Sequence, residues 1–168
     1  ADFTPYAASN NEPCAFIAQP IIKNDEAQLI VALQLSLDAM NAVMQQREGM
    51  GKSGETYLVG ADKLMRSDSV LDAEFHSVKA SFANPEKGKV DTEAVAKALA
   101  GETGRKSIKD YRGNRVLSAY APVSFGDHTW ALLAEVDDFE VKTPVYMLIL
   151  TIALIVLAAG IAVAGFAL

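Results

Sequence analysis

From Val145 to Leu168 the chain carries no charged side chain, and leucine, isoleucine, valine and alanine fill most positions. Wound as a helix at ~1.5 Å per residue, the stretch spans roughly 36 Å, enough to cross a hydrocarbon core of ~30 Å with some tilt. A soluble helix of this length normally keeps a polar face, because only one stripe of it packs on a core. This stretch has none. All 15 basic and 21 acidic residues lie upstream. The sequence therefore predicts a polar domain followed by a transmembrane helix at 145–168.

Residues 1–144 match one domain of ordinary size, and they contain no internal repeat. The net charge of −6 is spread along the chain, without a basic stripe or stacking platform, which excludes nucleic acid as a partner. Cys14 is the single cysteine. It lies in the apolar run Cys14-Ala15-Phe16-Ile17-Ala18, so it forms no internal disulfide and is expected to be a small buried hydrophobe. Ala1 to Pro13, rich in Asn, Pro and Ala, reads as a connector from a missing upstream segment, as in a fragment of a longer protein.

Two apolar runs follow, 14–22 and 27–35, and Lys23-Asn24-Asp25-Glu26 between them is a hairpin signal. Ser36 is positioned to cap a helix reaching Arg47, stopped by Gly49 and Gly51. Further strands are expected at 55–59, 105–111, 115–123 and 129–136, with a short helix near 70–77 and a second from Asp91 or Thr92 to Leu99. The later strands alternate without a clean polar face, as in Trp130-Ala131-Leu132-Leu133-Ala134, so both sheet faces need covering. The expected architecture is α+β: an antiparallel sheet of about five strands, covered on one face by the helix at 36–47 and on the other by the 68–101 segment. Only about six residues, 139–144, separate the last strand from the membrane helix, with Asp138 as its N-cap. A displacement of that strand would reach the membrane.

Gly49-Met50-Gly51-Lys52-Ser53-Gly54 superficially matches a nucleotide-binding loop. Position 46 is Gln where that motif requires Gly, and the local order is helix–loop–strand rather than strand–loop–helix. Nucleotide binding is excluded on those grounds. His76 and His128 have no ligand-like spacing, and Glu135, Asp137 and Asp138 read as cap and surface charges. No catalytic residue, metal site or cofactor is expected. Arg66 stands out, because a guanidinium beside the Ser67 hydroxyl at the edge of a covered sheet suits a small carboxylate. Tyr57 and Tyr120 would supply hydroxyls and Trp130 a wall. The competing expectation places Arg66 in a surface pair with Asp68 or Asp72 and the aromatics in the core. On the ligand reading, Arg66→Ala abolishes the carboxylate response with the fold intact. Gly160 and Ala164 form a small-xxx-small pair that permits close helix approach, favouring a homodimer.

The runs CAFIAQPI, AQLIVALQLSLDAMNAVM and GKSGETYLVGADKLMRSDS, with the closing DYRGNRVLSAYAPV and WALLAEVDDFE, resemble the extracytoplasmic sensor domains of bacterial methyl-accepting chemotaxis proteins. They are similar to the PAS-like Cache module next to the membrane, which also occurs on sensor histidine kinases and cyclases. The resemblance covers nearly all of residues 6–168. It implies a Cache/PAS-like sensing domain at 14–138, a small-molecule pocket under the connecting segment, and a dimeric signalling protein of the bacterial inner membrane with residues 1–144 in the periplasm. It also implies an upstream transmembrane helix and a cytoplasmic signalling region, neither of which is in this sequence. The amino-acid signature of two-module members belongs mainly to the membrane-distal module and is not found here.

Overall fold

The computed structural model describes residues 1–167; Leu168, the last residue of the expected membrane span, lies outside them. In chain order the elements are strand β1 (Thr4–Tyr6), β2 (Glu12–Cys14), β3 (Phe16–Lys23), β4 (Glu26–Gln34), helix α1 (Leu37–Met44) and β5 (Glu55–Val59). Helices α2 (Ala73–His76), α3 (Val78–Ala83), α4 (Pro85–Gly88) and α5 (Glu93–Leu99) form the connecting segment. Then come β6 (Gly104–Lys109), β7 (Arg115–Phe125), β8 (His128–Asp137) and helix α6 (Asp138–Ala167).

The central sheet has four antiparallel strands in the order β5-β8-β7-β6, and the expected α+β architecture holds. It is one strand short of the expectation because β3 and β4 pair only with each other. Their turn works as the sequence implied: Asn24 and Asp25 both adopt positive φ, the geometry of a tight hairpin turn. Apolar patterning reveals a strand without telling which sheet it joins. Both faces of this hairpin are exposed, Ile17, Ile21, Leu29, Ile30 and Leu33 included.

The two faces of the central sheet are covered unequally. On one, Tyr57, Val59, Val116, Tyr120, Ala131 and Leu133 are buried beneath the connecting segment, where Ala94, Val95 and Ala98 of α5 pack with Met65, Val78 and Val90. Hydroxyl and carboxylate caps begin these short helices: Asp72 for α2, Ser77 for α3 and Thr92 for α5. Each contributes about 1 kcal/mol. The opposite face is covered by α1 over Leu58 and by the start of α6, leaving a groove of about 440 Å³ lined by Met50, Leu117, Ala119, Val136 and Val141. Leu117 remains 39% exposed there.

Strand β8 lies inside the sheet, hydrogen-bonded to β7 along its length and to β5 from Ala131 to Glu135, and runs without a break into α6. The helix begins at Asp138 itself, so the 139–144 junction is helical and Asp138 is its first residue, not a cap outside it. Asp138 and Glu140 in the first turn complement the helix dipole. Pro144 removes one N–H from the helical ladder just before the apolar span.

Candidate functional site

Three sets of polar side chains stand out, one at each end of the sheet and one at the junction with α6. The first lies on the buried face. Glu55 of β5 and Glu135 of β8 are direct cross-strand partners, 1% and 2% exposed. Glu135 Oε2 accepts from the Tyr57 hydroxyl at 2.8 Å. Glu55 accepts from Tyr111 through one oxygen and from Ser69 Oγ at 2.7 Å through the other. The Tyr57 and Tyr111 rings meet edge to face at 5.5 Å, and His76 lies against Tyr111 with ring centroids 4.1 Å apart. His76 Nδ1 bonds Asp72 at 2.8 Å. Burial pushes the Glu135 carboxyl above its ordinary range, with the charges of Asp110 and Glu55 adding to the shift; hydroxyls of Ser118 and Tyr57 oppose it. Burial and the adjacent Glu135 likewise raise Tyr57 far above its usual value, so its phenol stays a donor.

Glu135 thus overturns its sequence reading as a surface charge. It shares the face of Leu133 and Ala131, and a period of two along β8 carries it under the connecting segment. That period was the available signal; a carboxylate alternating with core residues is the departure from it.

The second set surrounds Arg66, 2% exposed. The guanidinium makes a bidentate pair with Asp2, Nε to Oδ1 and Nη2 to Oδ2, both at 2.8 Å, and reaches Asp62 at 3.0 Å. Trp130 Nε1 and the Phe3 backbone N–H also donate to Asp2 Oδ1, at 3.0 and 2.7 Å. Phe82 and Phe3 lie 5.2 and 6.0 Å from the guanidinium carbon. Gly60 is required: a Cβ there would sit 2.2 Å from Arg66 Nη2. Burial alone would raise Asp2, but the Arg66 guanidinium together with the Phe3 and Trp130 N–H donors outweighs it and holds the carboxyl below its ordinary range. The pairing expected with Asp68 or Asp72 does not form; Asp68 bonds Asn41 and the Val78 N–H instead. No local spacing announces Asp2, which lies 64 residues away in sequence.

The expected site residues therefore divide. Arg66 and Trp130 come together around Asp2. Tyr57 belongs to the buried acidic cluster, and Tyr120 lies in the same cross-sheet row, with Leu133 between them and its hydroxyl over Gly104. Ser67 Oγ accepts from Leu58 N–H at 3.0 Å, fastening the 65–69 segment to β5.

The third set is the junction. Glu140, in the first turn of α6, accepts from Lys52 N–H at 2.7 Å, from Ser53 N–H at 2.8 Å and from the Ser53 hydroxyl. Those donors hold its carboxyl down to about 2. Ser53 Oγ also accepts from Asp137 N–H at 3.0 Å, so one serine ties together the end of β8, the loop and the helix. The loop that superficially matched a nucleotide-binding motif does bind an anion through its backbone, and that anion is the chain's own Glu140.

No protein-family model matches the chain. It is 27% identical over 170 residues to a probable chemoreceptor of Sinorhizobium fredii, covering 96% of this chain and 20% of that protein. The periplasmic sensory domain of a Campylobacter jejuni chemoreceptor superposes with a TM-score of 0.58 at 14% identity, over 79% of this chain and 46% of that one. The ligand-binding domain of a Pseudomonas aeruginosa amino acid chemoreceptor, in complex with L-Arg, superposes with a TM-score of 0.51 at 19% identity, over 82% and 49%. The chain spans about a fifth of the curated relative and about half of these solved domains. It has the α+β fold of chemoreceptor sensory domains, followed by a helix long and apolar enough to cross a membrane.

Proposed function

We propose that residues 14–138 are the periplasmic ligand-sensing domain of a transmembrane chemoreceptor, with 1–13 as a connector whose Asp2 and Phe3 pack into that domain, 139–144 as junction and the apolar part of α6 in the inner membrane. It acts by binding a small molecule rather than by catalysis, as a homodimer paired through the Gly160–Ala164 face. One observation carries this reading: β8, an inner strand of the sheet, continues into α6, and Glu140 locks the first turn of that helix to the Lys52-Ser53 loop. A ligand that favours one arrangement of sheet and connecting segment, by differential affinity for the two states, thereby shifts the membrane helix.

The Arg66 site has the donor set of a carboxylate receptor, with a bidentate guanidinium, an indole N–H and a backbone N–H, and the Asp2 carboxylate fills it. A ligand carboxylate takes this position by displacing Asp2. Asp2→Asn, which weakens the internal competitor and keeps its shape, is expected to strengthen binding of small organic acids by about tenfold or more. The check is a thermal-shift screen of the full chain in detergent against acetate, lactate, succinate and amino acids, with calorimetry on any that raise the melting temperature. An Asp2→Asn chain that binds these acids no better than the parent removes Arg66 from the ligand site. The Asp2 contacts also favour a second reading, a structural module whose pocket takes no ligand; a panel that leaves the melting temperature unmoved supports it.

A further inference from the structure

The buried acidic cluster has unfilled hydrogen-bonding capacity. Glu135 Oε1, Ser118 Oγ and His76 Nε2 are buried and have no hydrogen-bond partner among the described residues. Ser118 and Glu135 are cross-strand neighbours on β7 and β8, so two of the three lie side by side. An unsatisfied buried polar atom costs roughly 1–3 kcal/mol, and more when charged. Side by side, Glu135 Oε1 and Ser118 Oγ share a single hydroxyl proton between them, which leaves acceptor capacity for a partner.

The charge balance says what kind of partner. Neither Glu55 nor Glu135 has an ion-pair partner among the described residues, although both are buried. The basic and titratable groups around them are committed elsewhere: Lys106, opposite Ser118, to Glu93 at the surface; Arg112 to Asp110 and Asp137; His76 to Asp72. Tyr57 and Tyr111 face the carboxylates as neutral donors. Glu55 accepts a hydroxyl at each oxygen, from Tyr111 and from Ser69, whereas at Glu135 Tyr57 holds Oε2 and the Ser118 hydroxyl is the one donor facing the other oxygen. What is lacking is positive charge and N–H donors.

We propose that this cluster binds an ammonium-type cation, ammonium itself or a small protonated primary amine, with Glu135 Oε1 as its counter-charge and Ser118 Oγ as a second acceptor. The proposal rests on the sensing role above and names a ligand class for it, at a site separate from Arg66. The position fits transmission: two residues after Glu135, the Asp137 N–H meets Ser53 Oγ, which in turn holds Glu140 of α6. Burial raises the Glu135 carboxyl, and a cation arriving beside it acts in the opposite sense by stabilising its charged form.

The test uses the full chain in nanodiscs, with ammonium chloride and methylammonium chloride compared against sodium chloride at equal ionic strength. The expected result is a saturable rise in melting temperature with the amines alone. Glu135→Gln keeps the shape and the Tyr57 contact, and is expected to lower methylammonium affinity by about tenfold or more. Ser118→Ala gives a smaller loss and serves as the second variant should Glu135→Gln fail to fold. Amines acting no differently from sodium, or binding undiminished in both variants, overturns the proposal. If amines fail while organic acids still bind, this assignment falls and the sensing role stands; if nothing binds, both fall.

Discussion

Arg66→Ala is expected to destabilise the domain by roughly 3–5 kcal/mol, the usual consequence of removing one partner from a buried ion pair. The Asp2 side chain, 16% exposed, is left with a charge and no counter-ion nearer than solvent. The space between Phe3 and Phe82 empties, and the N-terminal segment loses its bidentate tie to the rest of the molecule. For a domain of this size the loss lowers the melting temperature by about 10 °C or more. The measurement is thermal or urea unfolding of the full chain in detergent. A loss under about 1 kcal/mol contradicts the assignment of Arg66 as a structural anchor. The sequence alone implied the reverse, an arginine removable without harm to the fold; its burial and the Asp2 contact replace that expectation. Asp2→Asn, not Arg66→Ala, is therefore the variant that interrogates ligand binding.

Gly51→Val is expected to release α6 from the domain. Gly51 has φ +71°, a region β-branched residues occupy at a cost of about 1–3 kcal/mol, and a Cβ there would lie 2.3 Å from Glu140 Oε1. The Glu140 carboxylate then withdraws from the Lys52 and Ser53 amides, which become exposed. Their hydrogen exchange is expected to accelerate by about tenfold or more, together with that of the first turn of α6. Gly49→Val is the control: Gly49 has φ +79° but nothing within 4 Å of its Cβ position, so it imposes backbone strain and leaves the clamp closed. Equal exchange in both variants contradicts the clamp. Because Glu140 is held down to about 2, the carboxylate's contribution is present above its ordinary pKa of 4.5 and is lost as pH falls through about 2. The clamp stays charged at any pH a periplasm reaches.

How legible these features were depended on the range of the signal. The membrane helix, the Asn24-Asp25 turn, the caps at Ser36 and Thr92 and the strands from Glu55 and Arg115 follow from local periodicity and from residue types that suit one backbone geometry. The sheet membership of β3 and β4 did not follow, because pairing partners are set by tertiary contacts and apolar patterning is blind to them. The candidate sites were half visible. Arg66 and Trp130 drew notice by residue type and do meet, but through Asp2, whose sequence separation no local rule bridges. Tyr57 was expected near a ligand carboxylate and instead donates to Glu135, a residue read as surface until the alternation of β8 placed it inward. Glu140 had no sequence signal beyond its place in the first turn of a helix.

The most direct test of sensing through β8 and α6 is a spin-label distance from Lys109→Cys on β6 to Ile161→Cys in the membrane helix. It is measured on the full chain in nanodiscs with Cys14→Ser, while titrating whichever panel acid or methylammonium raises the melting temperature. The sensing mechanism predicts that the distance distribution shifts with the same midpoint as binding, and that Gly51→Val keeps the binding and loses the shift. A compound that binds to saturation while the distribution stays unchanged contradicts it.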